Sequence, residues 1–201
     1  DVDNQYSGVV KARKNLFESW GMTDKTHTIT STGIEGQGEN PAKMVRLDAL
    51  SILGLQDGQL QYLKALDHLS STHDYGVTFE RGTRIIYGDR SNYYISGTAS
   101  IDHLGEIVHP GNIIAQTHRT IDNIQALLKE GQASLDNLKT MTVYLRDLAD
   151  FNVVNDVISE RIGPEAPRLL VKGSVCRPGW LVEIEGIAIN QKGNLQYAPL
   201  F

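Results

Sequence analysis

An α+β fold follows from three features of the 201-residue sequence. A long amphipathic helix pattern at 111–129 stands between groups of short alternating apolar–polar runs. A second helix pattern follows Asp150 and leads into two more such runs. A helix–strand–strand unit occurs twice along the chain, which organises the whole.

The first element is a helix. Val9, Ala12, Leu16 and Trp20 form one apolar stripe, with Gly21 as the stop. Two strands follow, in "THTITSTGIEG" (26–36) and "MVRLDALSILG" (44–54). In the second, Val45, Leu47 and Ala49 alternate with Arg46 and Asp48. The polar stretch 55–76 reads as a connection. Val77, Phe79 and Arg81 then share one strand phase, and Arg84 to Tyr87 form a second strand before the Gly88–Asp89 turn. "NYYISGTASID" (92–102) is a third strand. A short one at Glu106–Val108 follows the break at Gly105.

The helix at 111–129 presents Ile114, Thr117, Ile121, Ile124 and Leu128 on one face, with Gly131 as its C-cap. In "LKTMTVYLRD" (138–147), Met141, Val143 and Leu145 share a strand phase. Asp150 is placed to N-cap the next helix, which turns Phe151, Val154, Val157, Ile158 and Ile162 inward. Strands at Leu169–Val175 and Trp180–Ile189 close the chain.

The repeat is carried by "VRLDALSI" (45–52) and "VEIEGIAI" (182–189), which align apolar on apolar and charged on charged. Each is preceded by a strand, and before that by a helix ending in glycine, Gly21 or Gly163. Residues 1–70 therefore read as a partial first copy plus connector, and 71–201 as a complete second copy. A chain that opens on an amphipathic helix with no strand to cover it reads as the tail of something longer.

The bulk composition narrows the function classes. Apolar content of 40% and charged content of 21% suit a soluble domain. A net charge of −5, with basic residues spread along the chain, lacks the footprint of a nucleic-acid binder. No apolar run approaches the ~20 residues that span a bilayer, so no membrane partner is expected. No basic-then-apolar leader opens the sequence. One cysteine forms no internal disulfide and fits a reducing, cytoplasmic setting. The six histidines form no ligand pair, so neither metal nor other cofactor is expected.

Several residues are candidates for chemistry. Glu183 and Glu185 share a strand face with Leu181 and Ile187. That face is either solvated or the wall of a site. In the second case a carboxyl among apolar groups has a raised pKa and holds a proton to deliver near neutral pH. Arg168, after the rigid Pro167, is either a surface arginine or a two-pronged ligand for a substrate carboxylate. Cys176 suits a small apolar filler and has no histidine nearby to activate it. Ser96 and Thr98 lie in "SGTAS", a small-residue strand that either packs tightly or lets a ligand approach.

In order and spacing, "YYISGTASI", "GNIIAQTHRTIDNIQALL", "MTVYLRDLADFNVVND", "APRLLV" and "LVEIEGIAI" resemble the YjgF/RidA superfamily over roughly Tyr87 to Ile189. The resemblance implies a six-stranded mixed sheet with two helices on one face, assembled as a homotrimer with sites between subunits. For the deaminase branch, which hydrolyses enamines and imines to keto acids and ammonia, it implies site roles for Arg168, Ser96, Asn155 and Glu183. Leu170 stands where that branch often carries cysteine. "YGVTFERG", "SGTASI" and "VCRPGWLVEIEG" are similar to the chorismatases, which look like two fused copies of the fold. That likeness implies a catalytic Glu183, with Cys176, Tyr75 and Arg81 around the substrate.

The resulting expectation is a lyase- or hydrolase-like enzyme acting on a carboxylate-bearing enol ether, enamine or imine. Glu183 and Arg168 would be catalytic, and Ser96, Thr98, Tyr75, Arg81, Asn155 and Cys176 would bind substrate. A non-catalytic ligand-binding or regulatory member of the superfamily is the alternative. The ribonuclease and translation-inhibitor labels attached to the superfamily sit poorly with the acidic balance.

Overall fold

The computed structural model describes residues 2–200 other than 24, 37, 39, 41, 44 and 73–75. Nine helices and strands, as described, are α1 (Val2–Ser19), β1 (Leu60–Leu63), β2 (Gly82–Ile86), β3 (Ser91–Ala99), α2 (Ile113–Glu130), β4 (Leu138–Leu145), α3 (Phe151–Arg161), β5 (Arg168–Lys172) and β6 (Val182–Asn190). The strands form one six-stranded sheet in the order β1-β2-β3-β6-β4-β5. It is mixed: β4 and β5 are parallel, joined through α3, and the other neighbours are antiparallel. The α+β class and the six-stranded mixed sheet agree with the sequence reading.

Helices α2 and α3 cover one face. Ile121, Ile124, Leu127 and Leu128 of α2 and Val154 and Ile158 of α3 pack with Tyr93, Ile95, Val143 and Ile184 of the sheet. The expected α2 stripe is buried except Ile114, which lies at the exposed first turn. Asn112 caps this helix by accepting from the Ala115 N–H at 3.0 Å. Gly131 follows it for a reason of space. A Cβ there would lie 2.7 Å from the Tyr93 ring, and the Tyr93 hydroxyl donates to the Gly131 carbonyl at 2.8 Å. Asp150 does not cap α3 with its side chain; Asp147 caps the short 3-10 turn before it, accepting from Ala149 N–H at 2.9 Å.

The first third of the chain departs from the sequence reading. Neither 26–36 nor 44–54 forms a described strand. Within the first, only isolated bridges form, Thr30 with Glu80 and Ile34 with Val175. In the second, Leu47 and Leu53 are 83% and 91% exposed. Alternation alone cannot make a strand; a partner must take its backbone hydrogen bonds. The supposed connection supplies β1, because Leu60–Leu63 finds such a partner in β2. Residues 77–81 bridge only at Glu80 and serve instead as a cavity wall.

Helix α1 forms but turns a different face inward. Tyr6, Val10, Arg13 and Phe17 face the domain, while Val9, Leu16 and Trp20 of the expected stripe are exposed, Trp20 by 62%. Phe17 is buried, an anchor of about 2 kcal/mol. At the other end Arg146 pairs with Asp3 at 3.1 Å.

Candidate functional site

Glu183 sits in β6 between Ala99 of β3 and Tyr144 of β4. Its neighbours Val182 and Ile184 enter the core, so the glutamate points to the sheet face opposite α2 and α3. At this end of the sheet that face is roofed by α1. Between them lies a cavity of about 430 Å³, within the usual range for small-ligand sites. Glu183, Arg81, Cys176 and Gly97 line it from below, with Phe79 and Trp180 as aromatic walls. Tyr6, Val10 and Arg13 close it from above.

A bulge in β3 makes room for the carboxyl. Ile95 pairs with Gly186 but Thr98 pairs with Ile184, so β3 carries one residue more than β6 between these pairs. Gly97 lies in the bulge, and a Cβ on it would fall 2.0 Å from Glu183 Oε1. The Gly97 N–H donates to Thr32 Oγ1 at 2.9 Å, which ties the bulge to the segment under α1.

Glu183 is 4% exposed. Burial first, and then the charge of Glu185, push its carboxyl up to about 8, against the opposing pull of Arg81. No hydrogen bond contributes to that balance. The two glutamates thus differ. Glu185 accepts a hydrogen bond from the Tyr144 hydroxyl at 2.7 Å. Glu183 holds a proton at neutral pH beside open space. The Cys176 thiol is pushed up to about 12, chiefly by burial and next by Glu183, so it remains a neutral thiol. It shares a hydrogen bond with Tyr6.

The surrounding loops are held by residues outside the cavity. Arg146 donates to the carbonyls of Val175, Arg177 and Trp180, fixing the turn that carries Cys176. Gln116, buried on α2, donates to the Gly179 carbonyl and accepts from Leu181 N–H. The Trp180 indole donates to Ser100 O at 3.1 Å. Arg81 is buried and donates to the Ser70 carbonyl at 3.1 Å.

The other expected site residues fall elsewhere. Ser96 and Thr98 are buried behind the wall and do not line the cavity. The Ser96 hydroxyl donates to Glu80 O and accepts from Ser31 N–H, and Thr98 Oγ1 donates to Ser96 O. Arg168 and Asn155 are bonded to each other at 2.9 Å and do not line the cavity of this subunit. The Arg168 guanidinium also donates to Ser159 Oγ and to the carbonyls of Gly163, Pro164 and Ala166, closing the C-terminal end of α3. Tyr75 lies outside the described residues. The sequence reading missed Tyr6, Arg13, Phe79 and Trp180 as wall residues.

These contacts lead to a prediction for Arg168. Arg168→Ala is expected to destabilise the fold by about 2 kcal/mol, through loss of charged hydrogen bonds at a helix end. Turnover per folded molecule should change less than tenfold. Urea unfolding beside rate measurement checks both, and a rate loss exceeding a hundredfold at unchanged stability would assign the arginine to catalysis.

The sheet with its two helices, and a carboxyl at the wall of a cavity, define an α+β unit whose kin are identifiable. A family model described as Endoribonuclease L-PSP matches residues 86–190, and the chain belongs to that family, within the YjgF/RidA superfamily. A RutC family protein of Pyrococcus abyssi is 43% identical over 100 residues, 49% of this chain and 78% of that protein. The 3-aminoacrylate deaminase RutC of Acinetobacter baylyi is 32% identical over 96 residues, 47% and 76% of the two chains. The 3-hydroxybenzoate synthase of Streptomyces hygroscopicus is 30% identical over 132 residues, covering 57% of this chain and 38% of that protein. Among solved structures, a chorismatase superposes with a TM-score of 0.59 at 25% identity, covering 65% of this chain and 44% of its own. Named relatives of this chain thus include deaminase and chorismatase-type enzymes. No helix among the described residues is long and apolar enough to cross a membrane.

Proposed function

We propose that the protein is an enzyme whose Glu183 protonates an electron-rich, carboxylate-bearing alkene, with a chorismate-like enol ether as the favoured substrate class. The observation that carries this reading is a buried, proton-holding Glu183 at the wall of a cation-lined cavity. Proton transfer from its carboxyl to the terminal carbon of the enol ether leaves an oxocarbenium ion. Water adds to that ion and gives its proton to the Glu183 carboxylate. The hemiketal collapses to a keto acid and an alcohol, with one water consumed. An enamine would follow the same course to a keto acid and ammonia. Arg81 supplies a cation beside the acid for the substrate carboxylate. The enol ether is favoured because Glu183, Arg81 and Cys176 share one cavity.

The experiment is incubation of the purified protein with chorismate and, separately, with 2-aminoacrylate generated in situ. Pyruvate from chorismate without ammonia is expected. Ammonia production from the enamine would move the assignment to the deaminase branch, and no turnover of either would overturn the reading. RNA cleavage unaffected by Glu183→Gln would point to the family's ribonuclease label instead.

Two architectural proposals accompany this one. The partly exposed outer sheet face, with Leu169, Ile187 and Tyr94, supports a homotrimer, which light scattering would measure. The exposed stripe of α1 and the exposed alternation at 45–53 support the part of residues 1–70 ahead of β1 as another copy of the fold, β1 itself being an edge strand of the sheet described above.

A further inference from the structure

We propose that α1 is a working wall of the ligand site and that Arg13 is a specificity residue, binding a second anionic group of the ligand beside Cys176. The inference rests on reading the cavity as a carboxylate site, and it concerns an element outside residues 86–190 that define the family.

The inward face of α1 is chemically unusual for a docking helix. Helices dock through apolar stripes, and α1 has one in Val9 and Leu16, continued by Trp20 just past its end, yet that stripe is exposed. Facing the domain instead, beside Val10 and the buried Phe17, are a tyrosine and an arginine above a cavity. Arg13 Nε donates to Thr78 Oγ1 at 2.9 Å and Nη1 to Ser31 Oγ at 3.2 Å. Among the described residues its bonding partners are these two neutral hydroxyls, and no carboxylate pairs with it. Burial pulls its pKa down, the sign of a guanidinium partly removed from water. A desolvated cation without an acid is unfavourable unless something anionic completes it. Its Nη2 edge takes part in no hydrogen bond with a described residue, and a guanidinium binds carboxylate most strongly through two parallel N–H donors.

The site then holds two cationic positions of different origin. Arg81 acts on Glu183 from the residue just before β2. Arg13 acts on Tyr6 and Cys176 from α1. Lys11 and Lys14 stand at the rim on the same helix, which favours arrival of an anion in a chain of net charge −5. The apolar and aromatic surface between, from Val10, Phe79 and Trp180, suits a ring bearing the two anionic groups.

Calorimetric titration of the full chain with isophthalate and with benzoate tests this without requiring turnover. Isophthalate is expected to bind at least tenfold more tightly than benzoate. Arg13→Gln should weaken isophthalate about tenfold or more while leaving benzoate within threefold. Arg13→Lys, which keeps charge but not the fork, should fall between. Asp3→Asn releases the far latch of α1 without entering the cavity, and should weaken the two acids equally or not at all. An unchanged isophthalate-to-benzoate ratio in Arg13→Gln would overturn the proposal, as would failure of the unmodified protein to bind isophthalate. Binding governed by Arg13 in a protein that turns over neither chorismate nor an enamine would uphold this inference and reject the catalytic reading alone.

Discussion

Glu183→Gln is expected to lower turnover by about 10²–10⁴-fold, the contribution of a positioned general acid. Glutamine keeps the shape of the side chain and removes the transferable proton. In the unmodified protein the acid form is the active one for the first step. With the carboxyl near 8, kcat/KM should fall above pH 8, and the variant's residual rate should lack that falling limb. A rising limb near pH 8 would instead make Glu183 a base in the slow step. Rate profiles between pH 6 and 10 distinguish the two.

The same shift fixes the sign of a stability effect. The folded carboxyl titrates near 8 and the unfolded one near 4.5. Below 4.5 both states hold the proton. Between 4.5 and 8 the unfolded chain releases it and the folded chain does not, so stability falls as pH rises, and the fall ends above 8. Glu183→Gln abolishes this contribution. Its Tm relative to the parent should therefore climb from pH 5 to pH 8.5, by the equivalent of a few kcal/mol at most. A variant that is inactive yet more stable in alkali is the result expected of a site that stores destabilisation in its acid. Equal pH dependence of the two Tm values would place the Glu183 carboxyl in water, outside any such role.

What the sequence made legible was the part governed by local pattern. The α2 stripe is buried nearly as read, because a 3.6-residue period and a sheet to pack on agree. Glu183 was distinguishable by its apolar strand-mates Leu181 and Ile187. What failed depended on partners far along the chain. For α1 the face in use is displaced by one residue, from Val9, Ala12 and Leu16 to Val10, Arg13 and Phe17. That displacement is a rotation of about 100°. Hydrophobicity pointed to the wrong face because the cavity favours polar groups there. Arg168 follows a proline at a strand start, as a ligand arginine would. Its guanidinium is instead taken by Asn155, Ser159 and the carbonyls ending α3, a cluster visible only once α3 lies over β5's beginning. Residues 45–52 alternate faithfully yet pair with nothing described, since alternation states which face is apolar and not what will cover it.

Gly97→Ala is expected to cut activity about a hundredfold or more while leaving a folded protein, if a carboxyl misplaced by an ångström loses most of its catalytic value. The backbone at Gly97 has no positive φ, so alanine meets no conformational penalty there. The conflict is one of space. The new methyl would lie 2.0 Å from Glu183 Oε1, 2.9 Å from Glu183 Cδ and 2.8 Å from Thr32 Cγ2. Glu183 has rotamers to move through, so the carboxyl gives way before the β3 bulge does. The expected destabilisation is then about 1–3 kcal/mol, as for other overpacked sites. Because the displaced carboxyl moves toward the cavity, its pKa should drop toward the ordinary carboxylate range, and the falling limb of the rate profile should shift to lower pH. Chemical denaturation, together with a pH–rate profile on the residual activity, measures both consequences in one variant. Full activity with an unshifted limb would show that catalysis does not depend on the place this glycine keeps for Glu183. The two variants thus divide the claim: Glu183→Gln asks whether the proton is needed, and Gly97→Ala asks whether it must be held there.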